Sequence, residues 1–191
     1  MIIPFHLMRI RTKRLPKQAT IANSKIQIAN IILALLFSAS MGLAIWGINI
    51  YRLTIVPFRY LFQIVAISTL VTLPVILFVL KPTYNFFWIF LTSIAIGGGT
   101  SYFVFLYINS IYSNAEISKQ DFSIVKTGTL AKGKSSSCGS PFVVVDFNGV
   151  EKELIFFCEY EKIIKSFSKV RLEYSEGFFG FEIIKSKTLL K

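Results

Sequence analysis

Gly128-Thr-Leu-Ala-Lys-Gly133-Lys134-Ser135 has the spacing of a phosphate-binding loop, G-x-x-x-x-G-K-S. Downstream, Phe142-Val-Val-Val-Asp146 resembles the apolar strand that ends in a Mg²⁺-associated Asp. That chemistry needs a helix opening directly after the loop, because its N-terminal amides and dipole hold the phosphates. Ser-Ser-Ser-Cys-Gly-Ser-Pro follows instead, and the next strand begins too soon for a helix to intervene. The stretch is therefore expected to be a polar hairpin loop, with no nucleotide bound. Acyl-transfer chemistry also lacks parts: the one histidine, His6, is far from both cysteines in sequence. A Ser–Lys pair drawn from Ser135–Ser137 and Lys132 or Lys134 is the remaining arrangement, and solvation of a polar loop explains those residues equally well. Two cysteines without a nearby histidine fall short of the four ligands of structural zinc, and Glu159 and Glu161 suggest only surface charge. The expectation is a non-enzyme with no cofactor and no metal.

Cys138 and Cys158 are better suited to each other. Asn148-Gly149 between two apolar runs marks a hairpin with a type I′ turn. Its register sets Phe147 opposite Val150, Val145 opposite Lys152 and Val143 opposite Leu154, a mostly apolar face meant for the core. On the other face Asp146 opposes Glu151, a like-charge pair. Continued past its open end, the register leaves the cysteines one residue from opposition, an offset that Gly139-Ser140-Pro141 can absorb. A disulfide there is expected, and it requires an oxidising compartment.

The first 115 residues carry nine Lys or Arg and no Asp or Glu, and all ten acids fall between Glu116 and Glu182. Three long uncharged runs fill that acid-free part: Ile26–Tyr51, Tyr60–Leu80 and Pro82–Ala115. Lipid-facing surfaces exclude charge of both signs, whereas water-facing ones need it. The runs predict three transmembrane helices near 27–50, 60–80 and 85–108, within a membrane region of 26–112. A basic N-terminal segment, 1–25, precedes them and a β-domain, 113–191, follows. The net charge of +11 is explained by membrane orientation rather than phosphate contacts, so nucleic acid is not an expected partner.

Arg9, Arg11, Lys13, Arg14, Lys17 and Lys25 precede the first run, and Lys81 lies between the second and third. Together they outnumber Arg52, Arg59, Lys119 and Lys126 on the opposite side. This predicts a cytoplasmic N-terminus and a periplasmic β-domain at the bacterial inner membrane. The apolar arm from Ile2 to Ile10, followed by those bases, suits contact with anionic lipid or with a partner, or serves as a topology signal alone. Ser93, Gly97 and Ser101 lie four apart, as do Ala34, Ser38 and Gly42, forming small-residue stripes for helix packing within this chain or between copies. Gly97-Gly98-Gly99 leaves a second arrangement open, a re-entrant hairpin that would reverse the topology. Pro74 should bend the second helix, with Thr72, Thr69 or water available to the freed carbonyl. The absence of ionisable residues within the spans argues against a transporter or channel acting alone.

Further strands are expected at Phe122–Leu130, Lys169–Tyr174 and Phe178–Lys185, with a helical turn around Tyr160–Phe167. They suggest a small antiparallel barrel or rolled sheet of OB or SH3 size. Lys126-Thr-Gly-Thr-Leu130, Val143–Asp146, the Asn-Gly turn and Val170-Arg-Leu-Glu-Tyr174 together resemble membrane-anchored small β-domain families of unknown function. The resemblance covers about 60 residues and implies that the Thr-Gly-Thr strand after a membrane helix opens a compact sheet. The expected function is binding of a protein partner by the β-domain, for instance as an immunity protein against a secreted toxin. One alternative is a structural or sensing subunit of an envelope complex, self-associating through its small-residue faces. The other is a membrane enzyme or channel component that depends on partner subunits.

Overall fold

The computed structural model describes residues 17–80, 85–132 and 138–191. The chain forms two compact units, one ending at Leu36 and the other spanning Phe37–Lys191. Helix α1 runs Lys17–Leu53 and α2 runs Phe58–Leu80. α3 (Phe86–Ser93), a π-helical stretch (Ile94–Gly99) and α4 (Thr100–Ile111) succeed one another with helical dihedrals at both junctions. Gly97-Gly98-Gly99 therefore widens one continuous rod without reversing the chain, and the re-entrant hairpin is not formed. Asn85 starts this rod by accepting the Trp88 amide on its side-chain oxygen at 3.2 Å, which satisfies one orphan donor of the first turn.

Three helical stretches are long and apolar enough to cross a bilayer: Ile31–Leu53, Phe58–Val79 and Phe86–Ile111. The last has 33 % of its most apolar window buried against 11 % for each of the others. It is therefore the stretch most enclosed by protein. Gly97 and Gly98 make this enclosure possible. A Cβ on Gly97 would collide with the Thr72 side chain, and one on Gly98 would lie 2.9 Å from Val65 Cγ1. α2 continues through Pro74. The hydroxyl of Thr72 bonds the carbonyls of Ser68 at 2.9 Å and Thr69 at 3.1 Å and approaches that of Ser93, while Thr69 bonds Val65. Neither hydroxyl serves the carbonyl of Leu70, which the proline ring deprives of its helical donor.

The C-terminal part is a five-stranded antiparallel sheet ordered β3-β2-β1-β4-β5 and curled into a half-barrel. Its strands are β1 (Ser118–Leu130), β2 (Ser140–Phe147), β3 (Val150–Ile155), β4 (Lys169–Glu176) and β5 (Glu182–Leu190). The molecule is thus a helical membrane part followed by a small β-domain. β1 produces the curl: its first half pairs with β4, its second with β2, and the register shifts between Ile124 and Lys126. A bulge at this position bends the strand and lets one element serve two sheet faces. Val143, Val145, Leu154, Val170 and Leu172 fill the concave side. On the exposed exterior, Arg171 bonds both carboxylate oxygens of Asp121, at 2.7 and 2.9 Å, and holds that carboxyl below its usual range.

The β2–β3 register pairs Phe147 with Val150, Val145 with Lys152 and Val143 with Leu154. Asn148 and Gly149 both have positive φ, 52° and 85°. Asp146, opposite Glu151, accepts the Gly149 amide at 2.7 Å, so its carboxylate has a donor in the turn that offsets the like charge. Three elements depart from expectation, the first being β1, which begins at Ser118, four residues before Phe122. The helical turn near Tyr160–Phe167 is split into 3-10 turns at Cys158–Tyr160 and Ile164–Ser166. β5 begins at Glu182, four residues later than the apolar run suggested. Gly180, at φ 79°, closes a turn back to Gly177, and this draws Phe178 and Phe179 out of the strand.

Candidate functional site

Three of the buried polar residues among those described, Thr54, Asn109 and Lys152, lie where the sheet meets the helix ends. Residue 152 lies on the core-facing side of β3, and Lys152 is only 6 % exposed there. Its ammonium donates to the carbonyls of Tyr51 and Thr54, each at 2.7 Å, and sits 4.3 Å from the centre of the Tyr51 ring. The last carbonyls of a helix have no intrahelical donor and carry the negative end of its dipole. Lys152 therefore caps α1 from a strand about a hundred residues away. Burial pushes its pKa down to about 8. The two carbonyls and the helix end favour the charged form, so at neutral pH it keeps its proton. Beside it lies a cavity of about 360 Å³ bordered by Arg52, Leu130, Glu151 and Glu153.

A second tie is Asn109, fully buried near the end of α4. Its amide nitrogen donates to Phe181 O at 3.0 Å, its side-chain oxygen accepts the Phe179 amide at 2.9 Å, and its own carbonyl accepts the Phe178 amide at 3.2 Å. The β4–β5 turn is folded around this one side chain. Gly177 is required there, because a Cβ would overlap the Asn109 amide group.

The third tie is the α1–α2 linker. Thr54 bridges to Ile183, the Ile55 amide donates to Glu182 O at 2.8 Å, and Ile55 itself belongs to the sheet core. Lys187 on β5 bonds Ile155 O on β3 and lies 5.0 Å from the Phe156 ring centre, linking the two edges of the half-barrel. Burial lowers its pKa as well.

None of these junction residues was singled out from sequence as a site residue. The signals were present: one lysine on an apolar hairpin face, an amide near a span end, and the β-branched triplet Thr54-Ile55-Val56 in a loop. Each has an ordinary local explanation. Only their distant partners give them a role.

Cys138 and Cys158 form a disulfide with Cα atoms 6.0 Å apart. The chain departs from the ladder at both cysteines, with a bend at Cys138 and a 3-10 turn opening at Cys158. β2 stays extended and paired back to Ser140, and the other arm leaves the ladder after Phe156. The sulfurs and a Glu161 carboxylate oxygen lie within 4.8 Å of one another. Sulfurs bonded to each other are not thiolates, so this trio offers no metal site while the disulfide stands.

Ser93 is buried and donates to Ile89 O at 2.9 Å. Gly97 packs on Thr72 and Ser68, and Ser101 is half-buried. The other stripe is arranged differently: Ala34 and Ser38 are exposed, and a Cβ on Gly42 would meet nothing within 4 Å. Ser40, Ala44 and Gly47 make the close approaches of this part of α1, Ser40 bonding Thr100 at 3.0 Å and Gly47 lying against Tyr102. Gly128, the first glycine of the phosphate-loop pattern, is a β1 ladder residue paired with Phe142. Gly133, Lys134 and Ser135–Ser137 lie outside the described residues, as do His6, Arg9, Arg11, Lys13, Arg14 and Lys81. Lys17 and Lys25 fall on α1, their side chains outside the description. No family model, curated protein or solved structure matches this chain.

Proposed function

We propose that this is a non-enzymatic integral membrane protein whose β-domain is a rigid docking platform for a macromolecular partner. The observation that carries this reading is the threefold fastening of the sheet to the helix ends by Lys152, Asn109 and the Thr54-Ile55 linker. Lys152 and Asn109, the buried groups best equipped for chemistry, are both engaged by backbone. What they provide is a fixed orientation of the domain on its helices, which lowers the ordering cost of binding. Phe157, 80 % exposed beside the disulfide, is the aromatic best presented for a partner. Rigid aromatic anchors of this kind dominate protein interfaces.

We place the protein in the bacterial inner membrane with its N-terminus in the cytoplasm and its β-domain outside. The distribution of Lys and Arg supports this, and so does the disulfide, which persists in oxidising compartments. In its most concrete form the partner is a secreted toxin and the chain an immunity protein. The test is a photo-crosslinking amino acid at Phe157 in native membranes, with and without candidate toxins. One stoichiometric protein adduct is expected; adducts to lipid alone would remove Phe157 from the interface. A second reading, a subunit of an envelope complex, is favoured by the uncovered Ala34–Ser38–Gly42 face. A Gly42→Cys variant that forms disulfide-linked homodimers or a defined heteromer in the membrane would support it.

A further inference from the structure

We infer that the β4–β5 turn, Gly177–Gly180, is a lipid anchor: the β-domain inserts Phe178 and Phe179 into the bilayer alongside α4. Phe178 and Phe179 are 62 % and 43 % exposed at the tip of a tight turn, where a water-facing loop ordinarily carries polar residues. Their position relative to α4 gives the reason. Phe178 lies 6.0 Å from Tyr112, the residue just after the last of the span, and Phe179 stacks on Phe105 at 4.9 Å. Phe105 precedes Ile111, where the apolar helix ends, by six residues, about 9 Å along the axis.

A ring stacked at that level lies within the depth that the helix itself occupies in the bilayer. The neighbouring helix end is apolar and uncovered as well: Ile111 is 55 % and Tyr112 66 % exposed, while the exposed carboxylate of Glu176 borders the turn beside Gly180 and marks its water-facing side. The turn thus continues the lipid-facing surface of the helix. Asn109 holds it there by three hydrogen bonds to the turn backbone. Those amide and carbonyl groups are satisfied by protein, as any non-helical backbone at membrane depth requires. Phenylalanine rings, wholly apolar, suit the lipid-inserted face of an interfacial segment.

The inference rests on the three helices crossing a bilayer, and the two can fail separately. Protein that stays in solution without detergent would end the membrane reading itself. For the turn, the full chain carrying Phe178→Trp in a Trp46→Phe/Trp88→Phe background is reconstituted in phosphatidylcholine vesicles. Lys169→Trp, at the opposite end of β4, is the comparison. The Phe178→Trp probe is expected to emit at shorter wavelength, to be quenched severalfold by phosphatidylcholine brominated near the top of its acyl chains, and to resist acrylamide. The Lys169→Trp probe should behave in the opposite way. Equal acrylamide quenching of both probes, or equal bromolipid quenching of both, would overturn selective insertion. A photo-crosslinker at Phe178 in otherwise wild-type chain provides an independent readout: acyl-chain adducts are expected, and adducts to a second protein with none to acyl chains would overturn the proposal.

Discussion

The helices and the sheet satisfy their polar groups in opposite ways. Among the described residues of the helical part, Ser68, Thr69, Thr72, Thr92 and Ser93 each bond a carbonyl three or four residues back in their own helix. With their hydroxyls committed locally, the helices can be packed by close backbone approach at glycine. At the junction the partners are remote: Lys152 reaches back about a hundred residues to α1, and Asn109 reaches forward about seventy to the turn. A hydrocarbon solvent disfavours an unpaired donor, so most of these hydroxyls pair within their own helix, the Ser40–Thr100 bond between α1 and α4 being an exception. A domain in water has no such constraint, and its buried polar groups can pair late, across the fold.

The largest effect should come from closing the glycine groove. Gly97→Leu is expected to cost about 3 kcal/mol or more by overpacking against Thr72 and Ser68, measured by unfolding in mixed micelles. Gly42→Leu, at an open position, should change stability by less than about 0.5 kcal/mol. Equal effects would erase the distinction between the filled and uncovered stripes. Next, Cys138→Ala/Cys158→Ala removes a loop closure of 20 residues and should destabilise the sheet by about 3 kcal/mol. The helical part should keep its far-ultraviolet signal after the sheet has melted.

Lys152→Met removes the ammonium donor from the Tyr51 and Thr54 carbonyls, of which Tyr51 O keeps the Thr54 amide, and is expected to cost about 1–3 kcal/mol. That loss would be seen as earlier melting of the sheet and faster proteolysis at the α1–α2 linker. Unchanged proteolysis would mean that the cap does not fasten the domain.

The same lysine also predicts a dependence on pH. Lys152 titrates near 8 when folded, below its ordinary 10.5. The folded state therefore binds fewer protons than the unfolded chain between those values, and this group adds stability as pH rises through that window. The neutral amine retains N–H donors for both carbonyls. The margin of wild type over Lys152→Met should widen from pH 8 towards 10.5, and a narrowing margin would reverse the assigned sign.

Features governed by nearest neighbours were legible in the sequence. The three apolar runs, the Asn148-Gly149 turn and the β2–β3 register follow from periodicity and turn chemistry within a few residues. β5 was misplaced because Phe178 and Phe179 have strand-like composition, and only α4 draws them into a turn. The small-residue stripes show the same limit. Ser93-Gly97 and Ser38-Gly42 have equivalent spacing, yet Gly97 is filled by Thr72 and Gly42 faces open space.

By itself the sequence determined that acid-free apolar runs form helices suited to a bilayer and that an alternating, turn-punctuated tail forms a sheet. Hydrophobic period and charge exclusion act locally, and no partner is needed to read them. Tertiary structure decided which helix faces meet, where Lys152 and Asn109 find their carbonyls, and how the sheet is held on the helix ends. Those contacts join residues some seventy to a hundred positions apart, and no local pattern encodes the partner of a buried polar group.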